Sequence, residues 1–257
     1  MILNEMKQLD VSNFFINTNH VEGIGERDYA ETTPLVEAAK AFAKATYQSI
    51  YIIDYFKKGF LYVSDNPLFL CGHTAEEVRQ MGYGFYMEYV PQEELPMLLE
   101  LNRAGFSQAE SMSDEEKRNS VISYDFHLTN HGHPQLIHHK LTPLQLFEGR
   151  IWLAVCTVSL SSRKEAGHIV LRTLGKPHYW EYALDRHRWE ERQPIELKPV
   201  EKQILTLAAQ GYSIKDIATH ISRGTDTVKF YRRQIFDKLS AETITEAVTF
   251  AANYGLL

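Results

Sequence analysis

The chain has 257 residues, 44% of them hydrophobic and 23% charged, with a formal net charge of −6. These values exclude a disordered or fibrous chain and leave room for one or two buried cores. The charge is unevenly spread. From Lys198 onward eight Lys or Arg stand against six Asp or Glu, a net of +2, so residues 1–197 carry −8. A basic end is attracted to a polyanion, and an acidic front is repelled by it. The only cysteines, Cys71 and Cys156, fit a reduced, cytoplasmic setting. They read as small buried residues rather than a redox pair. Met1 to His20 is polar and broken, unlike a leader. The longest apolar run, Ile151 to Val158, is too short to span a bilayer.

In chain order, Pro34 is predicted to open an amphipathic helix with Leu35, Ala38, Ala39, Phe42 and Thr46 on one face. That face suits the next domain or a second copy of the chain. The period then changes. Ser49 to Asp54 and Gly59 to Val63 read as strands of a hairpin joined by Tyr55-Phe56-Lys57-Lys58. Short helices follow. Thr74 to Met81 opens with a Thr74-x-x-Glu77 capping box. Leu95 to Ala104 carries Pro96 in its first turn, with Leu95, Leu98, Leu99 and Asn102 in phase. Ser107 to Arg118 is polar and acidic, an exposed loop or loose helix. Strands are predicted over Val121 to Thr129, Gln135 to Leu144 and Arg150 to Leu160. The turns between them are Asn130-His131-Gly132-His133 and Phe147-Glu148-Gly149.

Two strands, small helices, then three long antiparallel strands resemble a PAS domain over about residues 48–165. Tyr89-Val90-Pro91-Gln92-Glu93-Glu94 is similar to the His-Pro-x-Asp loop of one PAS class, with Val90 in the His place. Ser159-Leu160-Ser161-Ser162-Arg163-Lys164 stands where that class ends in Asp-Ile-Thr-x-Arg-Lys. Ser159 therefore lacks a carboxylate that often couples the sheet to its neighbour. The resemblance implies a sheet curled around a small core that holds flavin, haem or a metabolite in some relatives and is filled in others. Phe69-Leu70-Cys71-Gly72-His73 does not match the Asn-Cys-Arg-Phe-Leu run of flavin photochemistry. His73 is the nearest candidate for a haem ligand. His127, His131, His133, His138 and His139 invite a metal reading, but two lie in a turn, and adjacent residues of a strand point to opposite faces. No metal or cofactor is therefore expected. Tyr83, Phe85, Tyr86 and Tyr89 read as core aromatics rather than a ligand box. Beyond this region, His168 to Leu171 and His178 to Tyr182 suggest an added hairpin, with Asp185-Arg186-His187-Arg188 turning toward Trp189. Trp180 and Trp189 are placed to pack it on one of the domains, and Glu190 to Pro194 reads as a link.

The last sixty residues carry the clearest periodicity. Val200, Ile204, Leu207 and Ala208 share a helical face that ends at Gly211. Ile214, Ile217, Ala218 and Ile221 repeat the pattern. After Arg223-Gly224-Thr225, Val228, Ile235 and Leu239 form the inner stripe of a third helix. After Ser240-Ala241, Ile244, Ala247, Val248 and Ala251 mark a fourth. Two short helices, a tight turn and a basic second helix are the layout of a helix-turn-helix. At about 100° per residue, Lys229, Phe230 and Arg233 fall opposite the apolar stripe, where they would face a major groove. Arg and Lys donate to guanine edges, and Phe can touch a thymine methyl. Lys215, Thr227, Arg232 and Lys238 are candidates for phosphate contacts, which give affinity without sequence information.

Leu197, Pro199, Glu201, Ile204-Leu205, Gly211, Ser213, Lys215-Asp216-Ile217-Ala218, Thr227-Val228-Lys229 and Lys238-Leu239 resemble the LuxR/GerE-type helix-turn-helix of bacterial transcription regulators, without a gap. The resemblance implies base-facing roles for Lys229, Phe230 and Arg233. It also implies dimerisation through the outer face of the fourth helix, at Thr245, Thr249 and Ala252. Four positions depart from that pattern, one of them Tyr231 in place of a His. Lys198 replaces a capping Thr or Ser, which leaves Glu201 without its partner at a cost of about 1 kcal/mol. Gly224 replaces a Ser cap, and Arg223 an aliphatic residue.

The expected architecture is α+β. It comprises an N-terminal segment and helix (1–47), a PAS-like sensor (48–165), a β-hairpin extension and linker (166–196) and an all-α reader (197–257). The expected function is a cytoplasmic, homodimeric, DNA-binding transcription regulator with an unidentified small molecule or partner as its input. The alternative is a protein-interaction module in which the PAS-like part does the work. A phosphoacceptor domain is disfavoured because strand–helix alternation is missing. The Trp/Tyr/Asp pattern of an acyl-homoserine-lactone receptor is also missing. No Gly-rich phosphate loop, nucleophile elbow or Cys-x-x-Cys nominates an enzyme, so no catalytic residue is assigned.

Overall fold

The computed structural model describes residues 10–15, 18–130 and 132–257. They divide into two units, Met1–Arg192 and Gln193–Leu257, each with its own core.

The first unit is built on an antiparallel sheet. Its strands are β1 (Ser49–Asp54), β2 (Gly59–Val63), β3 (Ser120–Asn130), β4 (His133–Phe147), β5 (Arg150–Leu160), β6 (Gly167–Thr173), β7 (Tyr179–Ala183) and β8 (Arg188–Arg192). Their order across the sheet is β2-β1-β5-β4-β3-β6-β7-β8. The β1–β2 hairpin occupies the predicted residues. β3 and β4 extend past their predicted ends, because ladder hydrogen bonds continue to Asn130 opposite His133 and to Phe147 opposite Arg150. Between β4 and β5, Glu148 (φ 47) and Gly149 (φ 74) form a two-residue loop of left-handed backbone, the geometry a tight hairpin requires. His131 lies outside the described residues.

The sheet does not stop at residue 165. β6 pairs with β3, with Ile122 opposite Leu171 and Ser123 opposite Val170. The extension therefore satisfies the free edge of β3 and runs to three strands rather than two. Trp189 is fixed within this unit, its indole Nε1–H donating to the Ala104 carbonyl at 3.2 Å.

Helices cover both faces. α1 (Glu26–Thr46) lies on one. α2 (Pro67–Leu70), α3 (Ala75–Met81), α4 (Gly84–Tyr89), α5 (Leu95–Glu110) and α6 (Asp114–Arg118) belong to the other. β1 is buried on both sides. Tyr51 and Ile53 enter the core under the short helices, and Ile50 and Ile52 enter the core under α1. α1 corrects two expectations. It starts eight residues before Pro34, which lies inside the helix. The buried stripe is Thr32, Ala39 and Ala43, while Phe42 is 64% exposed. Small side chains let the helix approach the sheet closely, and a polar tether sets which face turns inward. Tyr29 Oη donates to Asp54 Oδ2 at 2.5 Å, and its ring meets Trp152 edge-on. Asp54 Oδ1 accepts from the backbone N–H groups of Phe56 and Lys57, shaping the β1–β2 turn.

The Thr74–Glu77 capping box forms as expected. α5 runs on to Glu110, past the predicted end, burying Phe106. α6 is capped by Ser113, whose Oγ accepts from Glu116 N, so part of the expected loose stretch is regular helix.

Candidate nucleic-acid interface and buried cavity

The second unit contains α7 (Pro199–Ala209), α8 (Ile214–His220), α9 (Thr225–Leu239) and α10 (Ile244–Asn253). Ser213 caps α8 in a reciprocal arrangement with Asp216, and hydrogen bonding from Ser213 holds that carboxyl below the usual range. Ser222 (φ 53) turns the chain, and Gly224, in extended backbone, starts α9 without a side-chain cap. Val228, Ile235 and Leu239 are buried, as their spacing requires. On the opposite arc Lys229, Phe230 and Arg233 are exposed. Phe230 is 55% exposed, on the same arc as the two cations.

The candidate phosphate contacts separate into two groups. Lys215 is exposed, Thr227 and Arg232 are half-buried, and the Arg232 guanidinium lies over the Phe236 ring. Lys238 is different. Its ammonium donates to Glu201 Oε2 at 2.7 Å and to the Glu196 carbonyl at 3.0 Å. That commitment ties α9 to α7. Glu201 is fully buried, and its Oε2 also accepts from Lys198 N at 2.7 Å. Half of the capping box thus survives. The other half is absent because an ammonium cannot accept a hydrogen bond. Along α10, Thr245 and Ala252 are exposed and Thr249 is half-exposed, while Ala247, Phe250 and Ala251 are buried.

The first unit contains a partly open cavity of about 90 Å³ between the sheet and the short helices. Phe14, Tyr55, Tyr83, Tyr86, Phe106 and Tyr124 contribute its aromatic wall. Phe14 comes from a short 3-10 helix, Val11–Phe15, and packs on Tyr83 and Tyr86. Asn102 Nδ2 donates to the Phe14 carbonyl. Among the described residues no charged side chain lines the space. Behind the wall lies a buried polar chain. Tyr86 Oη and Tyr51 Oη are 2.5 Å apart, and Tyr51 Oη is 2.6 Å from His139 Nε2. Burial pushes the Tyr51 and Tyr86 phenols well up and pushes His139 down to about 3, with His138 adding to the effect. All three are therefore neutral at physiological pH. Sequence reasoning treated Tyr86 only as a core aromatic and did not single out Tyr51. Their pairing depends on strand register, which no local motif encodes.

The other histidines are dispersed. His127 Nδ1 meets Glu94 at 2.6 Å, and His138 Nδ1 meets Asp125 at 3.0 Å. His73 Nε2 meets the Tyr89 hydroxyl at 2.5 Å and does not line the cavity. Among the described residues no group of three or more His, Cys, Asp or Glu is arranged to hold a metal ion. Both cysteines are free and buried. Burial pushes Cys71 up to about 12 and pushes Cys156 up as well, so neither is a reactive thiolate.

A four-helix unit with an exposed basic helix and a separate sheet unit with its own core define a two-part chain with a helix-turn-helix. Residues 197–251 match the family described as bacterial regulatory proteins, luxR family. The C-terminal part is a LuxR-type helix-turn-helix domain. Over 90 residues the chain is 32% identical to the transcriptional regulatory protein YhcZ of Bacillus subtilis (strain 168). That match covers 35% of this chain and 42% of YhcZ. Among solved structures, the Vibrio cholerae VqmA dimer is 18% identical, covering 84% of this chain and 86% of its own, with a TM-score of 0.34. A light-oxygen-voltage domain is 19% identical over 52% of this chain and 89% of its own, with a TM-score of 0.38. The PAS domain of Bordetella pertussis BvgS is 17% identical over 51% and 90%, with a TM-score of 0.34. None of the three scores reaches 0.5, and the fold assignment rests on strand order and register. Among the described residues no helix is long and apolar enough to cross a membrane.

Proposed function

We propose that this chain is a transcription regulator that reads duplex DNA through α9, with the sheet unit as its input domain. The observation that carries the reading is the outer arc of α9. Lys229, Phe230 and Arg233 are exposed within the stretch that matches the luxR family. Lys229 and Arg233 contact base edges, Phe230 meets a thymine methyl, and Lys215, Thr227 and Arg232 contact phosphates. One short helix covers few base pairs, so the working form is a homodimer on a two-fold site, paired through Thr245, Thr249 and Ala252. The chain acts in the cytoplasm and has no catalytic role. The cavity takes up a small molecule, whose binding alters the sheet unit.

The test is selection of random duplexes by the purified chain, followed by sequencing. A motif with two-fold symmetry is expected. Recovery of an unenriched pool at low salt would remove the reading and favour a protein-interaction role.

A further inference from the structure

Building on the proposed role of the cavity as a ligand site, we infer that Tyr86 is its polar reader and donates a hydrogen bond. The molecule held there is then a small neutral compound with a hydrogen-bond acceptor, such as a carbonyl oxygen or a ring nitrogen. Charge is disfavoured because no charged side chain among the described residues lines the space and an unpaired buried ion is costly. The volume of about 90 Å³ is below the roughly 150 Å³ of an engineered cavity that takes up benzene.

The direction of the hydrogen bond follows from proton counting. A phenol has one proton, so the His139–Tyr51–Tyr86 chain has a direction. Neutral His139 has one N–H. Its Nδ1 has no hydrogen-bond partner in the protein among the described residues. The rings of Tyr124 and Phe126 lie 4.7 and 5.9 Å from the imidazole. A buried N–H left unpaired is rarer and costlier than a bare lone pair. The proton therefore sits on Nε2, which donates to Tyr51 Oη. Tyr51 then gives its own proton to Tyr86, and the Tyr86 proton is left over. Of the three, only Tyr86 borders the cavity. Tyr55, Tyr83 and Tyr124 also line the wall, and what directs Tyr86 to donate is that its oxygen accepts from Tyr51 at 2.5 Å. Ser120 Oγ donates to the Lys117 carbonyl.

The experiment uses the full chain with carbon-13 methyl labels on Ile and Met, since Ile53, Ile122, Ile151 and Met112 line the cavity. Three probes of matched size are titrated: cyclobutanone (acceptor only), pyrrole (a ring N–H donor) and methylenecyclobutane (neither). Cyclobutanone is expected to bind about tenfold tighter than methylenecyclobutane, with pyrrole weaker than the ketone. Tyr86→Phe should erase the ketone's advantage while leaving the hydrocarbon's affinity in place. A preference for pyrrole would mean that the chain runs the other way. Equal binding of ketone and hydrocarbon would mean that Tyr86 does not read the ligand. Either result overturns the inference and leaves the cavity as a ligand site. If no probe moves any cavity methyl, the ligand-site reading falls, and the inference with it. Nitrogen-15 shifts of the His139 ring test the direction without a probe or variant. Protonated Nε2 is expected, and protonated Nδ1 would overturn it.

Discussion

The outer arc of α9 and the wall of the cavity are opposite kinds of site. The first is three exposed side chains at helical spacing on one element, two of them charged. The second is a set of buried neutral rings contributed by a 3-10 helix, the β1–β2 turn, α4 with the residue before it, α5 and β3. Charge works at an exposed face because the partner is a polyanion and water screens mistakes. Inside a cavity a charge would be costly, so recognition falls to hydroxyls with fixed partners. Two buried networks follow the same division. Glu201 and Lys238 form an ion pair that fixes α9 against α7, whereas His139, Tyr51 and Tyr86 remain neutral.

The largest test of that division is Glu201→Ala. Removing the carboxylate takes the cap from Lys198 N and the partner from Lys238, and because the Lys238 side chain is one-third exposed and regains water, a loss of about 2–3 kcal/mol is expected for the second unit. Urea titration read at the Val228 and Leu239 methyl groups measures it. An equal loss in the sheet unit would break the comparison. Arg233→Ala should weaken binding to a selected duplex by about 1–3 kcal/mol and relax one base position. Fluorescence anisotropy measures both effects. Tyr51→Phe should cost the sheet unit about 1–3 kcal/mol by removing the link between Tyr86 and His139, with thermal unfolding as the readout. DNA affinity without ligand should not change.

Acid provides a further test. The folded pKa of His139 lies at about 3, below its ordinary 6.5. The folded form thus binds fewer protons than the unfolded chain between those values. Its contribution is complete above pH 6.5 and declines by up to about 1.4 kcal/mol per pH unit as the pH falls toward 3. Paired stability curves for the wild type and His139→Phe should diverge in slope over this window and run parallel above it. The smallest effect is a gain. Lys198→Thr completes the box with Glu201 and should stabilise the second unit by about 1 kcal/mol in the same urea titration.

The two regions also differ in how legible they are from sequence. The helices of the reader, its breaks at Gly224 and Ser240 and the α9 arc follow from periodicity and turn residues, which are local signals. The first hairpin is similarly legible from the β-rich run at Ser49. The Lys238 contact was not legible, because a half-exposed Lys near a helix end gives no local sign that it reaches Glu201, 37 residues away. α1 misled for a different reason. Two apolar stripes compete on it, and the choice between Ala43 and Phe42 is set by the Tyr29–Asp54 tether and the fit to β1. The cavity chain was not legible at all. It joins Tyr51 to His139, 88 residues apart, through strand order alone.

The most direct measurement is the salt dependence of binding to a selected duplex, for the wild type and Arg233→Ala together with a scrambled duplex. The wild-type affinity should fall steeply, with a log–log slope of several units, and should favour the selected sequence. Arg233→Ala should lose that preference. Equal affinity for selected and scrambled duplexes, or no binding at low salt, would contradict a reading role for α9.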